Sequence, residues 1–154
     1  MLQPASTGQI LVDLMVRPPK EGDASFETHR AEREAVYARL QRNASALDEA
    51  FARMPGVRCA KAQGAIYHFP RVELSPMALR AAREEGEAPD VWYCRQLLEA
   101  TGVCVVPGSG FGMGDGTGDG RIWYRISFLD DRVEWVEAMG KFQEGFVRRF
   151  WDES

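Results

Sequence analysis

The thirteen residues from Gly108 to Gly120, GSGFGMGDGTGDG, carry glycine at every even position. That density suits a phosphate cradle, a metal loop, a segment that closes over a site, or a slack connection. Spacing removes the first two. The dinucleotide fingerprint GxGxxG needs glycines an odd number of positions apart, and every glycine here is even-numbered. A P-loop needs GK[ST] and a following helix, whereas RIWYRISFL from Arg121 to Leu129 alternates like a strand. Asp115, Thr117, Asp119 and Gly120 match the opening of a calcium loop, yet Ile126 stands where its bidentate glutamate belongs. A pliable connection and a closing segment both remain open.

The strand after the glycines carries the more informative residue. Ile122, Tyr124, Ile126 and Phe128 point one way; Trp123, Arg125, Ser127 and Leu129 point the other. Arg125 therefore shares a face with an indole and a hydroxyl. Its planar guanidinium offers paired N–H donors at any working pH, suited to a carboxylate; the alternative is a surface arginine lying over Trp123. His68 alternates away from Tyr67 and has no carboxylate or serine close in sequence, so a satisfied structural histidine is expected. Cys59, Cys94 and Cys104 lie in apolar runs without CxxC or Cys/His spacing, which predicts buried thiols in a reducing compartment and no structural zinc.

The elements that must hold these residues follow from periodicity. A chain of 154 residues with 45% apolar content suits one globular domain. Nineteen basic and 23 acidic residues are interleaved, for a formal charge of −4, which argues against nucleic acid or anionic membrane as partners. No apolar run reaches the roughly 20 residues of a membrane helix, and the N-terminus lacks a signal-peptide pattern, so a soluble intracellular chain is expected. Gly8 to Val16 reads as a short helix ended by Pro18-Pro19. Ser25 caps a long amphipathic helix bearing Phe26, Val36, Leu40, Leu47, Phe51 and Met54, which Pro55-Gly56 stops. VRCA (57–60) and AIYHFPRVEL (65–74) read as a hairpin. A brief helix follows Ser75-Pro76 and ends at Gly86. Another opens at Pro89-Asp90 with Val91, Cys94, Leu97 and Leu98 as its apolar face, and Gly102 ends it. VCVV (103–106) is predicted as a strand buried on both faces. Asp130-Asp131 caps a last helix striped by Trp135, Met139, Phe142, Phe146 and Phe150. The sum is an α/β (α+β) sandwich with a mixed or antiparallel sheet and packed helices.

Several of these stretches together resemble a known family. VPGSGFG (106–112) followed by the Arg-Ile-Ser strand is similar to the C-terminal signature of the class I pyridoxal-phosphate-dependent aminotransferases. GAIYHFPR (64–71), PDVWYCRQLLEATGVCVVPGSGFG (89–112) and GQILVDLMVRPP (8–19) resemble the alanine aminotransferase branch, in order and at compatible spacing. The resemblance covers nearly the whole chain but only the C-terminal portion of such an enzyme. It implies the small domain of a fold-type I aminotransferase over residues 25–154, with 1–24 a linker from an absent large domain. It gives Arg125 the substrate α-carboxylate, and makes Tyr67 and Gly110 weaker substrate-binding candidates; on residue type alone, Tyr67 reads as a half-buried strand tyrosine with its hydroxyl hydrogen-bonded. Phe111 reads as a packing anchor. Met113, where close relatives would carry glutamine, and the extra glycines of DGTGDG depart from the pattern and predict a mobile loop.

Transamination needs a lysine to hold pyridoxal 5'-phosphate, an acid for its ring nitrogen and a phosphate cup. Lys20, Lys61 and Lys141 are the only lysines, and none resembles the family's cofactor lysine. No cofactor-binding, catalytic or metal residue is therefore expected here. The intact enzyme implied by the resemblance is a homodimer that binds pyridoxal phosphate and interconverts amino acids and 2-oxo acids, in the cytoplasm or in mitochondria. The family pattern is already under way at Gln9, so part of a longer enzyme is expected, inactive alone. A standalone, non-catalytic small-ligand-binding or regulatory module derived from that fold is the alternative.

Overall fold

A computed structural model describes residues 5–130 and 134–151. Met1–Ala38 and Arg39–Ser154 form two compact units. The first contains α1 (Ser6–Val16) and the start of α2 (Phe26–Arg53). The turn between them is tied by the Lys20 amide on Asp23 Oδ2 at 2.8 Å, and the Ser25 carbonyl accepts the first helical bond of α2 from His29. Val36, predicted on an apolar face, is exposed.

The second unit is built on one strand. After the rest of α2 come β1 (Val57–Arg58), β2 (Tyr67–His68), β3 (Arg71–Glu73), α3 (Pro76–Glu84), α4 (Pro89–Thr101), β4 (Val106–Pro107), a 3-10 turn (Gly108–Phe111), β5 (Arg121–Ser127) and α5 (Glu134–Trp151). Every pairing is antiparallel, and β5 pairs β2, β3 and β4. β2 and β3 share one register against β5, Tyr67 opposite Ser127 and Arg71 opposite Trp123, so residues 67–73 run as a single strand. Pro70 interrupts its ladder: the Pro70 carbonyl accepts from the Tyr124 amide at 3.2 Å, but proline has no N–H to return. β1 pairs β3, Val57 opposite Val72, which is the expected hairpin with a longer connection.

The alternation read from β5 holds. Ile122, Tyr124, Ile126 and Phe128 are buried, while Trp123, Arg125 and Ser127 are half-buried. The buried face packs with Leu47, Phe51, Val72, Trp92, Tyr93, Leu97, Met139, Phe146 and Phe150 into one core. Helices α3, α4 and α5 contact one another and α4 also meets β5, so the core is closed on that side. The α5 stripe is core as predicted, and Gln143 joins it: it accepts from Tyr93 Oη at 2.6 Å and donates to the Pro55 carbonyl at 2.7 Å. Ser75 caps α3 through the Ala78 amide and donates to the Phe150 carbonyl at 2.6 Å. Asp131, the second residue of the proposed α5 cap, lies outside the described residues.

Three expectations need correction. The VCVV segment is not a strand buried on both faces: only its Val106 belongs to β4, which pairs β5 and packs against α4, and Val105 is buried while Cys104 and Val106 are exposed. The thiols differ accordingly, with Cys94 buried, Cys59 intermediate and Cys104 exposed. On α4, Val91 and Leu98 are exposed and Trp92 and Tyr93 are buried instead. Both β5 and α5 press on that helix, which rotates its buried arc toward the two aromatics.

The glycines divide into structural and incidental. A Cβ on Gly108 would meet Trp123 Cβ and O at 2.8 Å, and one on Gly120, at φ +72, would meet the Leu74 carbonyl oxygen at 2.8 Å. Gly118 faces open space at ordinary φ. Gly108→Ala is therefore expected to cost about 1–3 kcal/mol in urea unfolding, and Gly118→Ala within about 0.5 kcal/mol.

Burial pushes the Cys94 thiol up to about 12 and raises the phenols of Tyr93 and Tyr124. The unfolded chain releases these protons first, so the stability they contribute is complete below the unfolded thiol value of 9.0 and is lost as pH rises toward 12. Unfolding midpoints should fall steadily across that window. Cys94→Ala should remove part of the slope, and a flat profile would contradict the assignment.

Candidate functional site

The side of β5 away from the core presents Arg125. Tyr67 and Ser127 are directly opposite each other, Arg71 faces Trp123, and the shared register sets Phe69 opposite Arg125; on the other edge Val106 pairs Arg125. The guanidinium carbon lies 4.4 Å from the centroid of the Tyr67 ring and 4.6 Å from that of Phe111. Each contact is worth about 0.5–2 kcal/mol according to its desolvation. Phe69 meets Phe111 edge-on at 5.7 Å. Among the described residues no carboxylate is paired with Arg125, whereas Arg71, on the same face, is paired with Glu73 at 3.0 Å. Stacking on ring faces leaves the N–H edge of a guanidinium for in-plane acceptors, which is the geometry a carboxylate uses.

The glycine segment supplies one of these rings, and it is held in place. Asp90, fully buried at the start of α4, accepts from the Ser109 amide at 2.9 Å and from the Val91 amide at 2.9 Å. Hydrogen bonds to a charged acceptor are worth about 1.5–3 kcal/mol. The Asp115 carbonyl accepts from the Asp90 amide at 3.1 Å, so the start and the middle of the loop are tied to one residue. Gly112 donates to Ser109 O, Met113 to Gly108 O and Gly120 to Gly116 O. Asp115 and Asp119 close local turns on the Thr117 and Arg121 amides, at 2.9 and 3.0 Å. The Thr117 hydroxyl, and after it the Thr117 amide, hold the Asp115 carboxyl below its usual range. The loop expected to be mobile carries these backbone bonds, and the acids that resembled a calcium ligand set satisfy backbone amides.

The remaining candidates separate cleanly. Tyr67 is exposed and stacks on Arg125. Gly110 precedes Phe111 in the same turn, and a Cβ there meets nothing within 4 Å. His68 is buried, as a structural histidine should be, but it does have a carboxylate: Asp48 Oδ1 on α2 lies 2.9 Å from Nε2. A carboxylate acceptor makes Nε2 the donor. Nδ1 has no partner among the described residues, and the ring is packed edge-on against Phe51 and Phe128. Asp90 and Phe111 are the residues that sequence reasoning undervalued. The Pro89-Asp90 helix start was visible, but only the fold shows that its carboxylate reaches the loop.

A cleft of about 560 Å³ lies beside the far end of β5, lined by Thr101, Cys104, Ser127, Glu134 and Trp135 among others. Arg125 does not line it. Lys20, Lys61 and Lys141 are all exposed. A Schiff-base lysine must be enclosed against water, so these residues do not fit a site for pyridoxal phosphate. No helix among the described residues is long and apolar enough to cross a membrane.

Comparison with known proteins identifies the family. The family model for aminotransferase class I and II matches residues 4–133. The mitochondrial alanine aminotransferase of Saccharomyces cerevisiae is 44% identical over 98% of this chain and 25% of its own length. Alanine aminotransferase 1 of Bos taurus is 43% identical over 97% of this chain and 30% of its own. In fold, an aspartate aminotransferase from Rhizobium meliloti superposes with a TM-score of 0.60 over 94% of this chain and 32% of that one, at 23% identity. The chain thus spans about a quarter to a third of the length of the relatives it matches. The sheet around Arg125, with its helices on one face, is a small α/β domain of fold-type I, and the chain belongs to the class I and II aminotransferases.

Proposed function

We propose that this chain is the C-terminal small domain of an alanine aminotransferase, converting L-alanine and 2-oxoglutarate to pyruvate and L-glutamate, and that Arg125 is its clamp for the substrate α-carboxylate. The observation that carries the reading is a stacked arginine, at the centre of the open sheet face, with no carboxylate among the described residues paired to it. The similarity to alanine aminotransferases favours the alanine reaction over others of the family. On this reading residues 25–154 form the small domain, and 1–24 lead into it from a large domain. That large domain carries the lysine, the acid and the phosphate cup, and the assembled enzyme is a homodimer.

In the assembled enzyme pyridoxal phosphate would be held by the large domain and would supply the electron sink for the Cα–H bond. This chain's residues do the positioning. Two parallel N–H donors hold both carboxylate oxygens and fix the rotation of the Cα–H bond, a restriction able to lower a barrier by several kcal/mol. The flanking rings exclude water from the guanidinium plane, which strengthens its hold on the anion. Tyr67 acts through this contact, and Gly110 lets the turn approach the substrate without a side chain.

Two measurements test the reading. The 154-residue chain mixed with pyridoxal phosphate, alanine and 2-oxoglutarate should form no pyruvate above the protein-free control; turnover would contradict a division of the site between domains. A chimera in which this segment replaces the matching part of the yeast mitochondrial relative should be active, as a self-standing module would not be. In it Arg125→Ala should lower kcat/KM for alanine and 2-oxoglutarate together by about 10²-fold, with the cofactor absorbance unchanged. Loss of the cofactor instead would refute the assigned role.

A further inference from the structure

The Arg125 guanidinium lies against rings from two separate segments, and only one of them belongs to its own sheet pairing. Tyr67 comes from the neighbouring strand, beside the register position opposite Arg125. Phe111 comes from the 3-10 turn, whose place is set from below by Gly108 against Trp123 and from the side by Asp90 on the Ser109 amide. Phe69, opposite Arg125, contacts Phe111 rather than standing free. Phe111 is 44% exposed, so burying its own surface is not the main consequence of this placement. Its ring is instead spent on two contacts, with Phe69 and with the guanidinium.

We propose that Phe111 is a positioning residue: with Tyr67 it holds the Arg125 guanidinium between two rings so that its N–H edge is presented to a carboxylate, and Asp90 fixes Phe111 through the Ser109 amide. This rests on the reading of Arg125 as the carboxylate clamp and assigns the residues that aim it. A free arginine side chain samples many rotamers, and fixing one costs binding free energy at the moment the ligand arrives. Two ring faces meet that cost before the ligand is present. They also favour edge-on, bidentate approach over the single contacts a swinging guanidinium would make. A leucine at position 111 would fill similar space and keep the turn, but would offer no ring face to a cation. Tyrosine would keep the face.

The test uses the 15N-labelled 154-residue chain, reading the Arg125 Nε–Hε signal by NMR with sodium acetate as probe and sodium chloride as the ionic-strength control. Ring-current shielding should displace this signal from the exposed arginines, and acetate should move it saturably where chloride does not. Phe111→Leu should bring the signal toward the exposed arginines and weaken acetate by about fivefold; Phe111→Tyr should restore both. Phe111→Leu with unchanged shielding and unchanged acetate affinity would overturn the proposal. A shielded signal in the unsubstituted chain that acetate fails to move would refute the carboxylate clamp itself, and the positioning role with it. Asp90→Asn keeps the side-chain shape and weakens the anchor's charge; it should reduce shielding at Arg125 with the rest of the amide spectrum preserved, and unchanged shielding would remove Asp90 from the arrangement.

Discussion

β5 must serve two environments at once, because its side chains alternate between a closed core and an open face. Four aromatic and aliphatic residues on one side, Ile122, Tyr124, Ile126 and Phe128, are buried against helices. A slip of one residue would drive Arg125 into that core and expose all four, so hydrophobic burial fixes the register on which the arginine depends. The position of a charged group is thus set by the apolar groups on either side of it. Neighbouring strands β2, β3 and β4 then have their pairing dictated by β5, including the interruption at Pro70.

The open face is organised by a second set of constraints, most of them local and polar. Asp90 is buried with no ion pair among the described residues, and its carboxylate is met by backbone amides at the helix start and in the glycine loop. That carboxylate converts a run that could be slack into a turn carrying Phe111. Gly108, Gly116 and Gly120 permit close approaches of the loop to the sheet, so the glycine density reflects contact between backbone and protein at some positions and open space at others.

The sequence made one side of this account legible and left the other obscure. Strand β5 and helix α5 were readable because their burial follows a single period along a continuous stretch. Arg125 could be placed on a face from the same alternation, and the VPGSGFG motif with the Arg-Ile-Ser strand gave that face a meaning. The errors arose where burial is set by neighbours distant in sequence. Trp92 and Tyr93 are buried because α5 lies over α4, a fact that no pattern within DVWYCRQLLEA contains. His68 lacked a visible partner because Asp48 is twenty residues upstream on another element. Gln143 was hidden within an apolar stripe, where a polar residue is tolerated only because Tyr93 and Pro55 meet both ends of its amide. The two rings at Arg125 come from positions 58 and 14 residues away in the chain, and spacing cannot bring them together.

The central claim is that the N–H edge of Arg125 receives a carboxylate. A crystal structure of the chimera carrying this segment, with 2-oxoglutarate bound, tests it most directly. The account predicts both oxygens of the α-carboxylate at about 2.7–2.9 Å from Arg125 nitrogens, in the plane of the guanidinium. An ordered 2-oxoglutarate with its α-carboxylate on other groups, and Arg125 facing solvent, would contradict it.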